Sequence, residues 1–458
     1  MQKVAFHNLG CKVNAYEMDV MEQKLQNRGY EIVDFAQKAD IYVINTCSVT
    51  NIADRKSRQM IHRAKALNPD SIVVAVGCFI MADPKKAALD PDIDLMIGNN
   101  RKADLIDLIE EFCEIKRSGG LPDKTLGGKT VPDLTDHPKY ESMSIDKTSE
   151  HTRAYIKIQD GCDQFCSYCI IPYVRGRIRS REHDDIIREV KTLSSEGYKE
   201  VVLTGIHLSS YGITGGSYNQ LAEEGFTNTA LLDLIDDIAQ IDGIDRIRLG
   251  SLEPRLITDE FLRRIAAEKK ICPHFHISLQ SGCDSVLKRM NRHYSAAEYM
   301  QRVEMIRSYF EHPAITTDVI AGFPMETDEE HAATRDYLAR INFYEVHVFK
   351  YSRRAGTVAD RMKGQLTDKQ KQARSSELIA DDAVRRHDFT AWYIGKPVEV
   401  LLEEEIEIDG HMFMSGYTPE YVRCAVEADS SLRGNIVHAI GEGVANECLM
   451  CTIPCLFG

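Results

Sequence analysis

Three times within the first eighty residues, a run rich in β-branched and apolar side chains stops at a cysteine: VAFHNLGC at Cys11, DIYVINTC at Cys47 and SIVVAVGC at Cys78. The stretches between them, YEMDVMEQKLQNRGY and ADRKSRQMIHRAKAL, space their apolar residues for helices. Alternation on this scale is the mark of βαβ units, each taking roughly 30 residues or more, packed as a parallel sheet. All strands of such a sheet point the same way. The three cysteines are therefore expected along the one edge where open α/β sheets build their sites. The competing reading is three buried structural thiols, a common fate for cysteine.

From about Ser118 to Glu150, Gly, Pro, Asp and Thr accumulate without a sustained apolar period, which reads as a linker or a long irregular excursion. Beyond it, AYIKIQD, EVVLTGIHL, RIRLGSLEP, FHISLQSG, TTDVIAGFP and YEVHVFKYS alternate with helical stretches such as HDDIIREVKTLSSEG. Six such units predict an α/β barrel, closed or partial. After Gly395 the texture changes to short strands with turn residues, KPVEVLLEEE, HMFMSGYTPEY, VRCAVEAD and NIVHAIGEG, the pattern of a small antiparallel barrel. The expected fold class is multidomain α/β plus all-β. Its parts are a parallel α/β domain over 1–117, a linker over 118–150, a (β/α)6-type partial barrel over 151–385 and an antiparallel β-barrel over 391–455.

A chain of 458 residues with 43 % hydrophobic content is too long for one ordinary core, which agrees with several domains. No run approaches the ~18 apolar residues of a membrane span, and MQKVAFHNLGC enters a strand-like run without a signal-peptide layout, so a cytoplasmic protein is expected. Thirteen cysteines there argue for metal or catalytic thiols rather than disulfides. A formal charge of −14 argues against a generally basic nucleic-acid coat, although local basic strips can still bind phosphate.

The densest cysteine set is GCDQFCSYC, with Cys162, Cys166 and Cys169 spaced C-x3-C-x2-C just after the strand AYIKIQD. Thiolate ligation selects zinc or iron–sulfur. Structural zinc takes four protein ligands, so three in a compact loop suit a four-iron cluster with one iron left open. Incidental cysteines, or a zinc loop borrowing a distant ligand, are the alternatives.

GCDQFCSYC at the first strand of a repeated β/α domain resembles the radical S-adenosylmethionine (SAM) superfamily. The resemblance implies that the open iron chelates SAM, that SAM is cleaved to a 5′-deoxyadenosyl radical, and that Tyr168 sits beside the cofactor. GCKVNAYE, NTCSVT and VGC, together with IPYVRGRIRSR, LTGIHLSSYG, GSLEP, SLQSG, DVIAGFP and GYTPEYVRC, resemble the methylthiotransferases over nearly the whole chain, the last segment resembling a TRAM domain. That implies two 4Fe-4S clusters, one on Cys162, Cys166 and Cys169 and an auxiliary one on Cys11, Cys47 and Cys78. It also implies SAM contacts at Tyr168, Gly205, Glu253, Gln280 and Asp318. One SAM would methylate a sulfur on the auxiliary cluster, while a second would yield the radical that removes hydrogen from adenine C2. Both clusters must then face one cavity.

GCKVN and NTCSVT look most like the branch acting on N6-threonylcarbamoyladenosine at position 37 of tRNA. The partners implied are the tRNA anticodon loop and an electron donor such as flavodoxin or ferredoxin, with the sulfur donor unknown. Alternatives are methylthiolation of isopentenyl-adenosine tRNA or of a ribosomal-protein aspartate, or a non-catalytic iron–sulfur protein that binds RNA or senses redox state.

Arg175, Arg177, Arg179 and Arg181 alternate directly after the cluster loop and are candidates to face RNA phosphates. The helix face with Arg55, Lys56, Arg58, Arg63 and Lys65 reads as solvated. From Ala391 onward eleven acids outnumber three bases, so any RNA grip there rests on a few positioned residues. In the tail CLMCTIPC, Cys448, Cys451 and Cys455 read as incidental, and Cys113, Cys272, Cys283 and Cys424 as packing residues.

Overall fold

The computed structural model describes residues 2–131, 134, 139–146, 152–214 and 217–454. The first unit runs β1 (Lys3–Asn8), α1 (Lys12–Arg28), β2 (Glu31–Val33), β3 (Ile41–Thr46), α2 (Asn51–Leu67), β4 (Ile72–Gly77), α3 (Cys78–Ala82), α4 (Pro84–Ala88), β5 (Leu95–Ile97) and α5 (Leu105–Arg117). Its strands lie in the order β2-β1-β3-β4-β5, every pair parallel. This is a doubly wound sheet whose order reverses between β1 and β3. Strand period two divides its side chains: Val4, Phe6, Val43 and Val74 pack under α1 and α5, whereas Ala5, Tyr42, Ile44 and Val73 pack under α2 and α3.

The second unit continues with β6 (Ala154–Asp160), α6 (Ile171–Val174), β7 (Arg179–Ser180), α7 (His183–Ser195), β8 (Glu200–Gly205), α8 (Tyr218–Glu223), α9 (Thr229–Ala239), β9 (Arg246–Leu249) and α10 (Asp259–Ala267). It then adds β10 (His274–His276), α11 (Asp284–Arg289), α12 (Ala296–Tyr309), β11 (Ala314–Ala321), α13 (Asp328–Ile341), β12 (Glu345–Lys350) and α14 (Asp368–Ala391). β6, β8 and β9 pair in parallel, as do β10, β11 and β12. Parallel bridges Ile247–Ile271 and Leu252–Ile277 join the two halves. Six parallel strands thus form the expected partial barrel.

α1 packs against β6 and β8, so the open side of the barrel is covered by the first unit. Tyr16, Val20, Ile156 and Ile158 belong to one apolar cluster that runs through both. The segment expected as a linker is part of this joint where it is described. Met143 and Ile145 are buried, the Tyr16 hydroxyl donates to the Met143 carbonyl at 2.7 Å, and the Ile145 amide donates to Glu189 Oε1 at 2.8 Å.

The last unit is a closed barrel of β13 (Pro397–Ile408), β14 (His411–Tyr417), β15 (Arg423–Val426), β16 (Ile436–Ala445) and β17 (Cys448–Thr452), in the order β13-β14-β15-β17-β16. All pairs are antiparallel except β15 with β17. Its fifth strand is the CLMCT segment, which the sequence reading left as an incidental tail. Cys448 and Cys451 are interior residues there, with Cys424 beside Cys451; Cys455 lies outside the described residues. Among the described residues no helix is long and apolar enough to cross a membrane.

Candidate functional site

Cys11, Cys47 and Cys78 follow β1, β3 and β4, which are adjacent in the sheet, so the parallel arrangement brings them to one edge. Glycine permits the crowding. A Cβ on Gly10, whose φ is +120°, would lie 3.3 Å from Cys47 Sγ, and one on Gly77, with φ +100°, would lie 3.0 Å from the Thr46 carbonyl. Burial, with Cys78 and Cys11 nearby, pushes the Cys47 thiol up to about 11. Asn99 donates to Cys78 Sγ at 3.5 Å and to the Val174 carbonyl at 2.7 Å.

Cys162, Cys166 and Cys169 sit in the loop after β6, at the C-terminal ends of the barrel strands. The loop is tied down from both sides: Ser167 N donates to the Met290 carbonyl at 2.9 Å, and Ala359 N donates to the Ser167 carbonyl at 2.7 Å. Removal from water, with Cys166 and Cys169 nearby, pushes Cys162 well above the usual thiol range, and removal from water with Cys166 nearby pushes Cys169 up to about 12.

A cavity of about 250 Å³ opens beside this loop, and its wall includes all three cysteines with Tyr168, Glu253, Gln280 and Asp318. Gln280 is held at φ +71°, with its amide donating to the Asp318 carbonyl at 2.8 Å, a strained conformation of the kind found at ligand sites. Glu253 accepts from the Tyr218 hydroxyl at 3.0 Å. Asp318 lies 3.4 Å from His276 Nε2; against the cost of burial, His276 and His347 hold its carboxyl below the usual range. Gly205 is not on this wall. It lies behind Ile206 and His207, where a Cβ would meet Gln159 Oε1 at 2.9 Å.

The two cysteine sets meet at the joint between the units. Cys78 shares an apolar cluster with Ile170 and Val174, the first of which directly follows Cys169. A second cavity, about 200 Å³, is walled by Val49 and Thr50 from beyond Cys47 and by Tyr168, Gln280 and Asp318, three residues that also line the first.

Comparison with known proteins gives this arrangement its context. Residues 3–98 match the family described as Uncharacterized protein family UPF0004, and residues 156–338 match the Radical SAM superfamily. The threonylcarbamoyladenosine tRNA methylthiotransferase MtaB of Bacillus subtilis is 37 % identical over 95 % of this chain and 93 % of its own length. Its Aquifex aeolicus namesake is 38 % identical over 88 % of this chain and 93 % of its own. The chain belongs to the radical SAM methylthiotransferase family. A tRNA-2-methylthio-N(6)-dimethylallyladenosine synthase of Pelotomaculum thermopropionicum is 34 % identical over 95 % of this methylthiotransferase and 94 % of its own chain. Among solved structures, the radical S-adenosylmethionine methyltransferase TsrM of Kitasatospora setae shares the fold, with TM-score 0.58 and 16 % identity over 78 % of this chain and 74 % of that one.

The methylthiotransferase does not present the expected row of guanidinium groups to RNA. Arg175, Arg179 and Arg181 are interior residues. Arg175 pairs with Glu17 at 3.0 Å and Asp160 at 3.1 Å, Arg179 with Asp160 at 3.3 Å, and Arg181 with Glu189. The physical reason is the joint itself: α1 carries Glu17 into the barrel, and buried carboxylates require buried cations. Of the four, Arg177 stays at the surface, over the Phe165 ring at 4.5 Å. Arg55, Lys56 and Arg63 on α2 are exposed, as a solvated face requires.

Several residues at the site carried no signal in the linear pattern. Arg292 donates to Cys166 Sγ at 3.2 Å, and His207, driven down to about 4 by burial, faces the same cavity. Arg354, in the stretch YSRRAGT, donates to Ser48 Oγ at 2.6 Å and pairs with Asp54 at 2.8 Å, fastening the segment beyond Cys47 to the barrel.

Proposed function

We propose that this chain adds a methylthio group to C2 of N6-threonylcarbamoyladenosine at position 37 of tRNA, with a radical cluster on Cys162, Cys166 and Cys169 and an auxiliary cluster on Cys11, Cys47 and Cys78. The observation that carries the reading is the packing of Cys78 against Ile170 and Val174, which sets both cysteine groups beside cavities with common walls.

The residues suit these groups. Thiolates on one tetrahedral zinc at ~2.3 Å lie within about 4 Å of each other. Among the described residues, the triads that close to within 4.8 Å are His276–Asp318–His347 and His62–Asp90–Asp92; neither cysteine set does, which favours a larger inorganic centre. The wall of the 250 Å³ cavity offers the carboxylates of Glu253 and Asp318 and the amide of Gln280 to the ammonium and ribose of SAM. When bound, the clusters and SAM supply the one-electron and methyl-transfer chemistry. The chain's own part is placement: Gln280 and Asp318 join the two cavities, Arg292 fixes Cys166, and α1 seals the barrel's open side against water.

The substrate assignment rests on relatives named for threonylcarbamoyladenosine. A flavodoxin or ferredoxin would supply electrons, and the cytoplasm, where tRNA matures, is the place of action. The test is mass analysis of tRNA nucleosides from a strain lacking this protein. Loss of 2-methylthio-N6-threonylcarbamoyladenosine is expected; its persistence, with loss of the isopentenyl counterpart, overturns the assignment.

A further inference from the structure

The concave side of the partial barrel holds a buried excess of positive charge that the reaction steps above leave unused. Tyr421, from the barrel turn between β14 and β15, reaches into it. Its ring stacks on His274 of β10 at 4.8 Å and lies under the guanidinium groups of Arg248 of β9 at 4.7 Å and of Arg153, just before β6, at 5.0 Å. Lys12 approaches the same ring, its Nζ 5.9 Å from the centroid. Arg248 is paired with Glu200 at 2.6 Å, Arg153 with Glu403 at 2.5 Å, and Arg246 with Glu200 at 3.7 Å. Among the described residues, Lys12 has no carboxylate within ion-pair distance. Four cations here, Lys12, Arg153, Arg246 and Arg248, share three carboxylates, Glu200, Glu399 and Glu403, of which Glu200 is fully buried. Lys12 is half-buried and no carboxylate matches its charge, so this side of the lumen favours an incoming anion.

Direct contacts lead from the SAM-side cavity to this place. Asp318, on the cavity wall, touches His276 at 3.4 Å; the His276 ring stacks on His347 at 5.6 Å; and His347 and Tyr421 both line a cavity of about 580 Å³. On an adenine whose C2 faces the SAM-side cavity, the substituent on N6 projects away from C2. Its outer end would extend toward the line of contacts formed by His276, His347, Tyr421 and Lys12.

We propose that Lys12 is the counter-charge for the carboxylate of the substrate's N6 substituent, and so the residue that selects the anionic threonylcarbamoyl group over an apolar isopentenyl group. This rests on the substrate reading given above. An isopentenyl group would leave Lys12 without a counter-charge, whereas a carboxylate completes the ion pair that Lys12 lacks.

The test uses reconstituted holoenzyme, with iron content measured for each variant, and anticodon stem-loops carrying N6-threonylcarbamoyladenosine, its methyl ester, or isopentenyl-adenosine. Wild type is expected to favour the free acid over the ester on the order of 100-fold in kcat/KM. Lys12→Met should bring that ratio to near one by loss on the acid alone, and Lys12→Arg should restore part of it. A merely structural lysine would lower both substrates together and keep the ratio, which overturns the inference. Wild type that converts the acid but treats acid and ester alike overturns it while the function stands. Conversion of the isopentenyl stem-loop in place of the threonylcarbamoyl one overturns both.

Discussion

Glu17 Oε1 lies 3.0 Å from Nη1 of Arg175, and both side chains are fully buried. Glu17 belongs to α1 of the first unit, whereas Arg175 closes α6, six residues beyond Cys169. Lys102 at 2.5 Å and Lys157 at 2.6 Å complete the shell around the carboxylate. The two cysteine sets are thus registered by an ion cluster as well as by apolar packing.

Removing the anion from this cluster should loosen the joint. Glu17→Gln leaves Lys102 without a carboxylate and Arg175 and Lys157 with Asp160 alone, and is expected to cost about 3–5 kcal/mol. The readout is a lower denaturation midpoint together with faster proteolysis in the 118–150 segment.

Iron content should divide by cysteine set. If each set holds one cluster, as proposed, replacing Cys162, Cys166 and Cys169 together with alanine should remove about half the iron of anaerobically reconstituted protein, and replacing Cys11, Cys47 and Cys78 the other half. A wild type with a single cluster contradicts the two-site arrangement.

Gly161→Ala should affect only the first of these sets. Gly161 has φ +72°, and a Cβ there would fall inside the Arg177 carbonyl, so the loop leading to Cys162 must move. Iron analysis should show the radical cluster depleted and the auxiliary one retained.

Arg292→Met should shift the potential of the radical cluster. With the proposed cluster on Cys166, the guanidinium that donates to Cys166 Sγ would stabilise its reduced, more negative state. Its loss should lower the midpoint by about 60 mV, the one-electron equivalent of about 1.4 kcal/mol, in a titration followed by electron paramagnetic resonance.

Glu141 gives a pH signature. Burial pushes its carboxyl up to about 7, one oxygen accepts from the Ala103 amide at 2.6 Å, and the other is buried without a partner. The folded state keeps this proton between about pH 4.5 and 7 while the unfolded state releases it, so stability falls as pH rises through that window. Glu141→Gln should stabilise the fold at pH 8 by about 1–3 kcal/mol, read as a higher denaturation midpoint, with the gain fading at pH 5.

Much of this organisation was legible in the linear pattern, and the exceptions share a cause. Strand runs ending at Cys11, Cys47 and Cys78 foretold a parallel sheet with its thiols on one edge, because strand direction and side-chain period are local properties. Glu253, Gln280 and Asp318, expected at strand ends, and Tyr168 of the cysteine loop do line one cavity, whereas Gly205 does not. Arg175, Arg179 and Arg181 looked like a phosphate-facing strip because alternation says which residues share a face, not which face is covered. The strand Cys448–Thr452 was missed because its sequence imitates a metal loop and its pairing partners lie at distant positions in the chain.

The sequence by itself determined the units, the two cysteine triads and the edges on which they sit, since each follows from hydrophobic period and strand polarity within a few dozen residues. Tertiary structure alone decided what those units do to one another. The insertion of α1 into the barrel turned surface-like arginines into buried counter-ions and brought Cys78 to the cluster loop; the reach of Tyr421 from the last barrel placed it beside Lys12, more than four hundred residues away in the chain. Burial of charge is a pairwise property, and pairs at that separation leave no local trace.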